Sequence, residues 1–369
     1  MFSFDPTEEQ RLIIDTAREL ARKEMAPAAK DADEAAKLPD GFLERAWELG
    51  LSAAAIPAAF NGSDMPRSAV TGALMLEELG AGDLSMALGL LAPSAFAYPI
   101  VDYGTDAQKE KFLPLCTGAS FPKVTIALVE PSMDFDALAL ETSAKKSADG
   151  YVLNGAKCFV PNGTTAEHFL IYAREGEAEG FENVQAFIVP RGAAGLTVGA
   201  KEKNMGVHAL DSVELTLKDV KVAANDKVGG DKGVDFERIM SYSRVALSAL
   251  ALGVARASYE HSVTYAKERK TFGKAIGTRQ AIAFIVADMR IELDGARLLV
   301  WEAAWRLDKG EQATKESYLA KLVTDEMALK VTDEAVMVMG GHGFIRENPV
   351  ERWLRNARGF ATFDGIALV

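Results

Sequence analysis

The sequence has few of the residues that build metal centres or disulfide frameworks: it holds two cysteines and four histidines in 369 residues. Cys116 and Cys158 are too few for a disulfide framework and are typical of a protein in the reducing cytoplasm. Four histidines without ligand spacing predict that the chain binds no metal. No apolar run is expected to reach the roughly 18 residues that a membrane-spanning helix needs. Basic charge is not in excess either, since the formal net charge is -12, so nucleic acid and anionic membranes are not expected as partners.

The hydrophobic pattern changes twice along the chain. A composition of 49% hydrophobic and 25% charged residues indicates a globular protein, and 369 residues predict two or three domains. The first and last parts show the period of helices, whereas the middle consists of short β-branched runs bounded by Gly, Asn and Pro. Five such runs are predicted to be strands: "KVTIALVE", "GYVLNGAKCFVP", "EHFLIYARE", "NVQAFIVPR" and "SVELTLKDVKV". The sequence therefore predicts an α+β chain with an N-terminal helical domain (1–120), a central β-domain (121–229) and a C-terminal helical bundle (230–369).

The helical parts carry more specific signals. In "DPTEEQRLII", Thr7 and Gln10 have the spacing of a capping box, and Pro27 is expected to end the helix that begins there. The segment "FERIMSYSRVALSALALGVARASYEHSVTYAKERK" (236–270) is predicted to form one continuous helix. The helices after residue 230 are apolar around much of their circumference. Such helices bury a second face either inside one bundle or against another subunit, and the pattern favours assembly of several subunits.

Four motifs resemble, in order and spacing, the acyl-CoA dehydrogenase family of flavoproteins. The motifs are "ALVEPSMDFD" (127–136), "YVLNGAKCFVPNG" (151–163), "RKTFGKAIGTRQ" (269–280) and "GGHGFIRENPVERWLRNARGFATFDG" (340–365). The four motifs lie in the central and C-terminal regions. The resemblance implies an N-terminal helical domain, a middle β-barrel-like domain and a C-terminal four-helix bundle, typically assembled as a tetramer.

The resemblance also implies a reaction. A base removes the α-proton of an acyl-CoA thioester, FAD accepts a hydride from the β-carbon, and an electron-transfer flavoprotein takes the electrons. Such chemistry belongs to fatty acid or steroid side-chain catabolism. The family's base is a glutamate whose position falls on Asp364, which is shorter by one C–C bond of about 1.5 Å. Asp364 is thus either a working base or a turn residue before Gly365, and the sequence leaves both open.

The residues that match the family's FAD contacts fall into two groups. In the family, the ADP portion is held largely across a subunit interface. The matching residues are Arg269, Phe272 and Gln280, with Met337 in place of a glutamine and Gly340 and Gly341 in the loop that follows. Arg269 suits a pyrophosphate, because a guanidinium is permanently charged and donates several hydrogen bonds. The residues that match contacts to the flavin ring are Val129, Phe159 and Pro161.

The residues at positions that contact the flavin ring in the family, here called the ring-side group, lack polar side chains that the family has. Val129 and Pro161 stand where the family has threonine, and neither has a side-chain donor. Ile366 and Leu368 likewise replace a threonine and a glutamine. These losses predict that the chain's own flavin pocket is closed or altered, and the end of the sequence at Val369 is expected to leave that pocket without one wall.

Two further residues are expected to face the substrate. Arg244 lies on the helix that contacts the substrate in the family and matches the family's arginine. Phe135 replaces a serine of the family's motif and is expected to add bulk where the backbone approaches the ligand. The shape of the acyl-binding region is therefore expected to differ from that of the family, although the sequence does not identify the acyl chain.

The pattern of retained and lost residues favours a subunit of a hetero-oligomeric acyl-CoA dehydrogenase. Such a subunit would supply its ADP-side residues to a paralogous partner while its own flavin half-site is degenerate. A homotetrameric enzyme with Asp364 as base is the alternative that explains the retained carboxylate. A non-catalytic scaffold subunit and an oxidase of the same fold are further alternatives.

Overall fold

The computed structural model describes residues 5–369, and its first region is helical. The helices of this region are α1 (Glu8–Leu20), α2 (Ala26–Ala35), α3 (Phe42–Glu48), α4 (Ala69–Gly82), α5 (Leu84–Tyr103) and α6 (Asp106–Phe112). Helix α1 begins at the predicted capping box, where the Thr7 hydroxyl accepts a hydrogen bond from the N–H of Gln10 and the Gln10 side chain accepts one from the N–H of Thr7. This start signal of the first helix is therefore confirmed.

The helical run does not end at Pro27, so that prediction is wrong. A π-helical turn over Ala21–Met25 joins α1 to α2, and Pro27 lies in the first turn of α2. Proline is accepted there because the π-helical turn before it already interrupts the regular i→i−4 pattern: the N–H of Ala26 donates to the carbonyl oxygen of Ala21. The run ends instead at Ala36, whose left-handed φ of 50° interrupts the helix.

Helix α5 contradicts the expectation that no apolar run reaches the length of a membrane span. Within residues 5–369, this 20-residue helix is long and apolar enough by length and composition, with a mean hydropathy of 1.6. However, 94% of its most apolar segment is buried within the protein. The burial of α5 is that of a core helix, and burial inside the protein explains its composition.

The middle region is a curled, mixed seven-stranded sheet. Its strands are β1 (Val124–Ala127), β2 (Ser143–Ser147), β3 (Gly150–Pro161), β4 (His168–Glu175), β5 (Val184–Pro190), β6 (Leu196–Lys201) and β7 (Ser212–Ala223). The order is β1-β4-β2-β3-β7-β6, with β5 also paired to β4. The β1–β4 and β2–β4 pairs are parallel and the others are antiparallel. The sequence predicted the five more apolar strands and missed β2 and β6.

The last region is a helical bundle. Its elements are α7 (Phe236–Glu268), the short hairpin strands β8 (Lys270–Thr271) and β9 (Lys274–Ala275), α8 (Gln280–Asp308), α9 (Thr314–Met339), α10 (Gly341–Phe344) and α11 (Val350–Arg358). Helix α7 is one continuous helix, as predicted, and packs against α8, α9, α11 and also α4. A Cβ on Gly253 would lie 2.2 Å from the carbonyl oxygen of Glu77, so glycine permits the close approach of α7 to α4. The apolar circumference of α7 is thus buried within the chain. The α+β class and the order of the three regions are confirmed.

Candidate active site

A cavity of about 890 Å³ lies where the β1–β2 loop, the end of β3, α7, α9 and the C-terminal tail meet. Five of the predicted site residues line it, although they come from distant parts of the sequence. They are Val129, Phe135, Phe159, Arg244 and Asp364. The chain therefore contains a substantial cavity at the position where the sequence predicted a closed or altered pocket.

Asp364 lines this cavity. Its Oδ1 is buried and has no hydrogen-bond partner among the described residues. The turn that carries it depends on Gly365, whose φ is +65° and whose Cβ, if present, would lie 2.1 Å from a side-chain carbon of Leu128. Burial raises the pKa of Asp364, whereas the positive charges of Arg244 and Lys321 act to lower it. The N–H of Gly365 also acts to lower the pKa of Asp364 by donating to the carboxylate. A carboxylate at a cavity with a raised pKa is a candidate general base.

Arg244 is the second buried charge at the cavity. Only 8% of this residue is exposed, and among the described residues its guanidinium makes no hydrogen bond or ion pair. The guanidinium lies 5.3 Å from the ring centroid of Tyr318 on α9, a cation–π contact. Because a buried charge without a partner is unfavourable, the five guanidinium donors are available for a ligand or for a group that approaches with it.

Aromatic rings form much of the cavity wall. The ring of Phe159 packs edge-on against that of Phe363, with centroids 5.7 Å apart and an angle of 79° between the planes. A register shift between β3 and β7, from Lys157 to Val160, places Phe159 in a bulge with a left-handed φ of 51°. A non-glycine residue in this conformation is strained, and its backbone N–H is held by Glu202 Oε1 at 3.0 Å. The bulge therefore directs Phe159 towards the cavity.

A buried ion pair fixes the β1–β2 loop that carries the rest of this wall. Lys157 Nζ donates to Glu130 Oε1 and to the carbonyl oxygen of Leu128, both at 2.8 Å. Glu130 Oε1 also accepts the N–H of Thr142 at 2.9 Å, and Glu130 Oε2 accepts the N–H of Glu141 at 2.7 Å. Burial lowers the pKa of Lys157 to about 8. Burial also acts to raise the pKa of Glu130, but the charge of Lys157 and the hydrogen bonds from Lys157 and Thr142 hold the pKa of Glu130 below its usual value. Because every polar atom of the pair has a partner, the loop is anchored at both ends.

Three other residues at ring-side positions do not face this cavity. Pro161 is buried at the end of β3, where its carbonyl oxygen accepts a hydrogen bond of 2.6 Å from the Thr125 hydroxyl. Ile366 and Leu368 pack in the hydrophobic core. The apolar character of these residues reflects the core around them, so it does not by itself alter the wall beside Asp364.

The predicted ADP-side residues form a separate, exposed group. They are Arg269, Phe272, Gln280, Met337, Gly340 and Gly341, all outside the cavity and all on the surface. They surround the β8–β9 hairpin and the junction between α9 and α10, where Val338 packs against Ala266 and Ile276. Phe272 lies at the tip of the hairpin, is 96% exposed and has a left-handed φ of 51°. The Phe272 ring is therefore almost fully exposed and is not packed against the rest of its own chain.

The cavity residues that were not predicted from the sequence include Tyr318, Lys321 and Phe363. Tyr318 lies four residues after Thr314, and Lys321 lies three residues after Tyr318. This is the spacing of one helix face, and all three residues line the cavity. That spacing is a signal that could have identified them together. Phe363 precedes Asp364 directly and could have been included with it. Within residues 5–369, no group of histidine, cysteine, aspartate or glutamate side chains is arranged to hold a metal.

Three family profiles match the chain in the order of its three regions. "Acyl-CoA dehydrogenase, N-terminal domain" matches residues 7–119, "Acyl-CoA dehydrogenase, middle domain" matches residues 125–220, and "Acyl-CoA dehydrogenase, C-terminal domain" matches residues 234–367. Together these profiles cover most of the chain.

Individual proteins are similar over nearly the whole length. A cyclohex-1-ene-1-carbonyl-CoA dehydrogenase of Geobacter metallireducens is 36% identical over 356 residues, which cover 95% of this chain and 93% of the relative. The solved structure of butyryl-CoA dehydrogenase from Megasphaera elsdenii has a TM-score of 0.88 and 34% identity, covering 98% of this chain and 96% of that one. The FAD complex of PigA has a TM-score of 0.89 and 28% identity, covering 98% and 95% of the two chains. The resemblance drawn from the four motifs is confirmed: the chain belongs to the acyl-CoA dehydrogenase family of FAD-dependent oxidoreductases.

Proposed function

We propose that this chain dehydrogenates an acyl-CoA thioester in its own cavity and that Asp364 is the base that removes the α-proton. The observation that carries this proposal is that Asp364, whose Oδ1 has no hydrogen-bond partner, and the buried Arg244 line the same cavity and act on each other electrostatically. A half-site without function has no reason to keep a carboxylate and a guanidinium together at one cavity, because withdrawing charges from bulk water is unfavourable.

The environment of Asp364 suits proton abstraction. Burial strengthens the carboxylate as a base by raising its pKa, and the positive charges of Arg244 and Lys321 limit that rise. Arg244 also places positive charge where negative charge develops as the α-proton leaves the thioester. The shorter aspartate is compatible with this role because the turn at Gly365 brings its oxygen to the cavity wall.

The residues present fit FAD. The apolar surface of Val129 and Phe159 suits the face of a flat ring, and the exposed Arg269 and Gln280 offer a charge and an amide to a phosphate and an adenine. When bound, FAD supplies the chemistry that accepts a hydride from the β-carbon. The chain's own residues then have to hold the thioester, exclude water with the aromatic wall and remove the α-proton.

The acyl group that fits this wall is compact, either a ring or a short chain. Phe135, Phe159, Phe363 and Tyr318 give the cavity flat aromatic surfaces, which match the face of a six-membered ring. The name of the Geobacter metallireducens relative includes a cyclic acyl group, and that of the Megasphaera elsdenii neighbour a short one. We also propose an electron-transfer flavoprotein as acceptor and, since Cys116 and Cys158 are both free thiols, the reducing cytoplasm as location.

Assembly with further copies of this chain is supported by an apolar stripe on α8. Phe284, Ile291 and Leu298 are seven residues apart, so they lie along one face, and they are 58%, 68% and 53% exposed. A continuous exposed row of large apolar side chains is unfavourable in water and is typical of a subunit interface. The exposed ADP-side group lies on the same helical region, consistent with a site that a neighbouring subunit completes.

A hetero-oligomer with a paralogous chain is the second candidate. It is favoured by the apolar side chain of Val129 at a ring-side position and by Met337 at an ADP-side position, where the family has polar residues. In that case the chain would provide Arg269, Phe272 and Gln280 to the partner's FAD, and Asp364 would have no substrate.

Flavin content separates the two candidates. The chain expressed and purified alone is expected to be yellow, with near one FAD per chain, and to lose its flavin colour when mixed anaerobically with butyryl-CoA or cyclohexanecarbonyl-CoA. A colourless chain that gains flavin and activity only when co-expressed with a paralogue would overturn the proposal and support the hetero-oligomer.

A further inference from the structure

Lys321 on α9 joins the helix to the segment that carries Asp364. Its Nζ donates to the Phe360 carbonyl oxygen at 2.6 Å and to Asp325 Oδ2 at 2.5 Å. The side chains of Lys321 and Asp325 are only 12% and 17% exposed. Lys321 also lines the cavity, so this buried contact lies at the wall and not on the outer surface.

The carbonyl that Lys321 holds lies at the start of the tail. Phe360 belongs to a 3₁₀ turn over Gly359–Ala361 that follows α11, where carbonyl oxygens have no partner within the helix. It precedes Asp364 by four residues, and its ring packs edge-on against Phe363 at 6.2 Å. An ammonium that caps this carbonyl therefore restricts the position of the turn in which Asp364 lies.

Charges from three directions act on Asp364. Arg244 approaches from α7 and Lys321 from α9, and both lower the pKa of Asp364; Asp136 in the β1–β2 loop raises it. Lys321 differs from Arg244 because it already has a carboxylate partner on its own helix. The charge that Lys321 directs at Asp364 therefore depends on that partner.

The partner, Asp325, is itself incompletely satisfied. Its Oδ1 is buried and has no hydrogen-bond partner among the described residues. Burial raises the pKa of Asp325 to about 6; Lys321 opposes this rise, whereas Asp364 and Glu326 add to it. Asp325 and Asp364 thus act on each other, and one ammonium serves both carboxylates.

We propose that Lys321 and Asp325 are positioning residues for proton abstraction: Lys321 fixes the turn that carries Asp364, and Asp325 sets how much of the Lys321 charge acts on it. This inference rests on the proposed role of Asp364 as base. The two residues then affect the reaction, and not only the stability of the fold, because they set the position and the pKa of Asp364.

The proposal predicts opposite pH shifts for two variants. Lys321→Met removes a positive charge, so the pH profile of α-proton removal is expected to move upward by about one unit, with a lower maximum because the turn is less restricted. Asp325→Asn keeps an acceptor for Lys321 but removes the competing negative charge, so the profile is expected to move downward by a few tenths to about one unit. Lys321→Arg keeps the charge and should restore most of the wild-type profile.

The test measures anaerobic flavin reduction by butyryl-CoA or cyclohexanecarbonyl-CoA, whichever is turned over, between pH 5 and pH 9. A second readout is independent of turnover: isothermal titration calorimetry in two buffers of different ionisation heat gives the protons taken up when the same CoA thioester binds. Matched controls on the same helix are Lys330→Met and Asp333→Asn, which remove equal charges at exposed positions away from the cavity.

The possible outcomes separate this inference from the proposed function. Opposite shifts in Lys321→Met and Asp325→Asn, absent from the controls, support the inference. Shifts in the same direction, or losses of rate with unchanged pH profile and proton uptake, overturn it even if Asp364→Asn abolishes the reaction. If Lys321→Met does not fold, Asp325→Asn and Lys321→Arg still decide. If Asp364→Asn leaves the rate unchanged, the proposed function itself has failed.

Discussion

Replacement of Asp364 by asparagine should remove the reaction while leaving the protein intact. Asparagine has nearly the same shape but cannot accept a proton at the position of the buried Oδ1. A positioned general base contributes a factor of about 10² to 10⁴, so the rate of flavin reduction should fall by that factor, or about 3–5 kcal/mol of transition-state stabilisation. Arg244 remains at the cavity in this variant.

The same substitution should not destabilise the fold. Burial raises the pKa of Asp364, so the ionised form is unfavourable in the folded chain at neutral pH, and a neutral amide relieves that penalty. The melting temperature of Asp364→Asn is therefore expected to equal or exceed that of the wild type. Loss of activity with loss of stability would indicate a structural role instead.

Stopped-flow measurement of anaerobic flavin reduction by a saturated acyl-CoA gives the rate directly, and binding of the thioester is measured in parallel by calorimetry. Asp134→Asn is the control, since this residue is an exposed carboxylate of the β1–β2 loop that does not line the cavity. A rate within tenfold of the wild type for Asp364→Asn would refute the reasoning, because no buried base would then be at work in this position.

Three more predictions follow from other parts of the structure. Ile291→Glu, in the middle of the α8 stripe, should shift the assembly to smaller species in light scattering after size-exclusion chromatography, whereas Asp288→Glu should not; an unchanged mass would show that the stripe is no interface. Arg269→Met should weaken FAD binding about tenfold or more in a flavin titration, because a charged hydrogen-bond donor to the ligand is lost, and Lys267→Met should bind as the wild type does. Asp83→Asn should raise the free energy of unfolding by about 1–3 kcal/mol at pH 8, because burial raises the pKa of Asp83 to about 6, and by little at pH 4, where the folded carboxyl is protonated. Equal denaturation curves for Asp83→Asn and the wild type at pH 8 would contradict that assignment.

The sequence was most informative where a pattern repeats over many residues. The long period of α7 predicted one helix, and the four motifs predicted which distant positions meet at a cavity, because a conserved fold brings the same positions together. The capping box at Thr7 is a local signal and was sufficient by itself. The prediction at Pro27 was wrong because the π-helical turn before the proline lets the helical run continue through it, and such a turn has no signature in the sequence.

The direction of side chains at the site could not be predicted from the motifs. In a regular strand, Phe159 and Pro161 would lie on the same face, but the shift of register between β3 and β7 breaks the alternation, so that only Phe159 lines the cavity. Ile366 and Leu368 were interpreted as lost ligand contacts, whereas they pack in the core. Lys321 was missed because its role depends on the folded tail and not on its sequence neighbours.

The central claim is that Asp364 of this chain removes the α-proton of the thioester. Exchange of that proton with solvent tests the claim most directly. The chain purified alone is incubated anaerobically in D₂O with butyryl-CoA or cyclohexanecarbonyl-CoA, and deuterium at the α-carbon is followed by mass spectrometry. The wild type is expected to incorporate deuterium, and Asp364→Asn to do so at least a hundredfold more slowly. Equal exchange in the two proteins, or none in either, would contradict the claim.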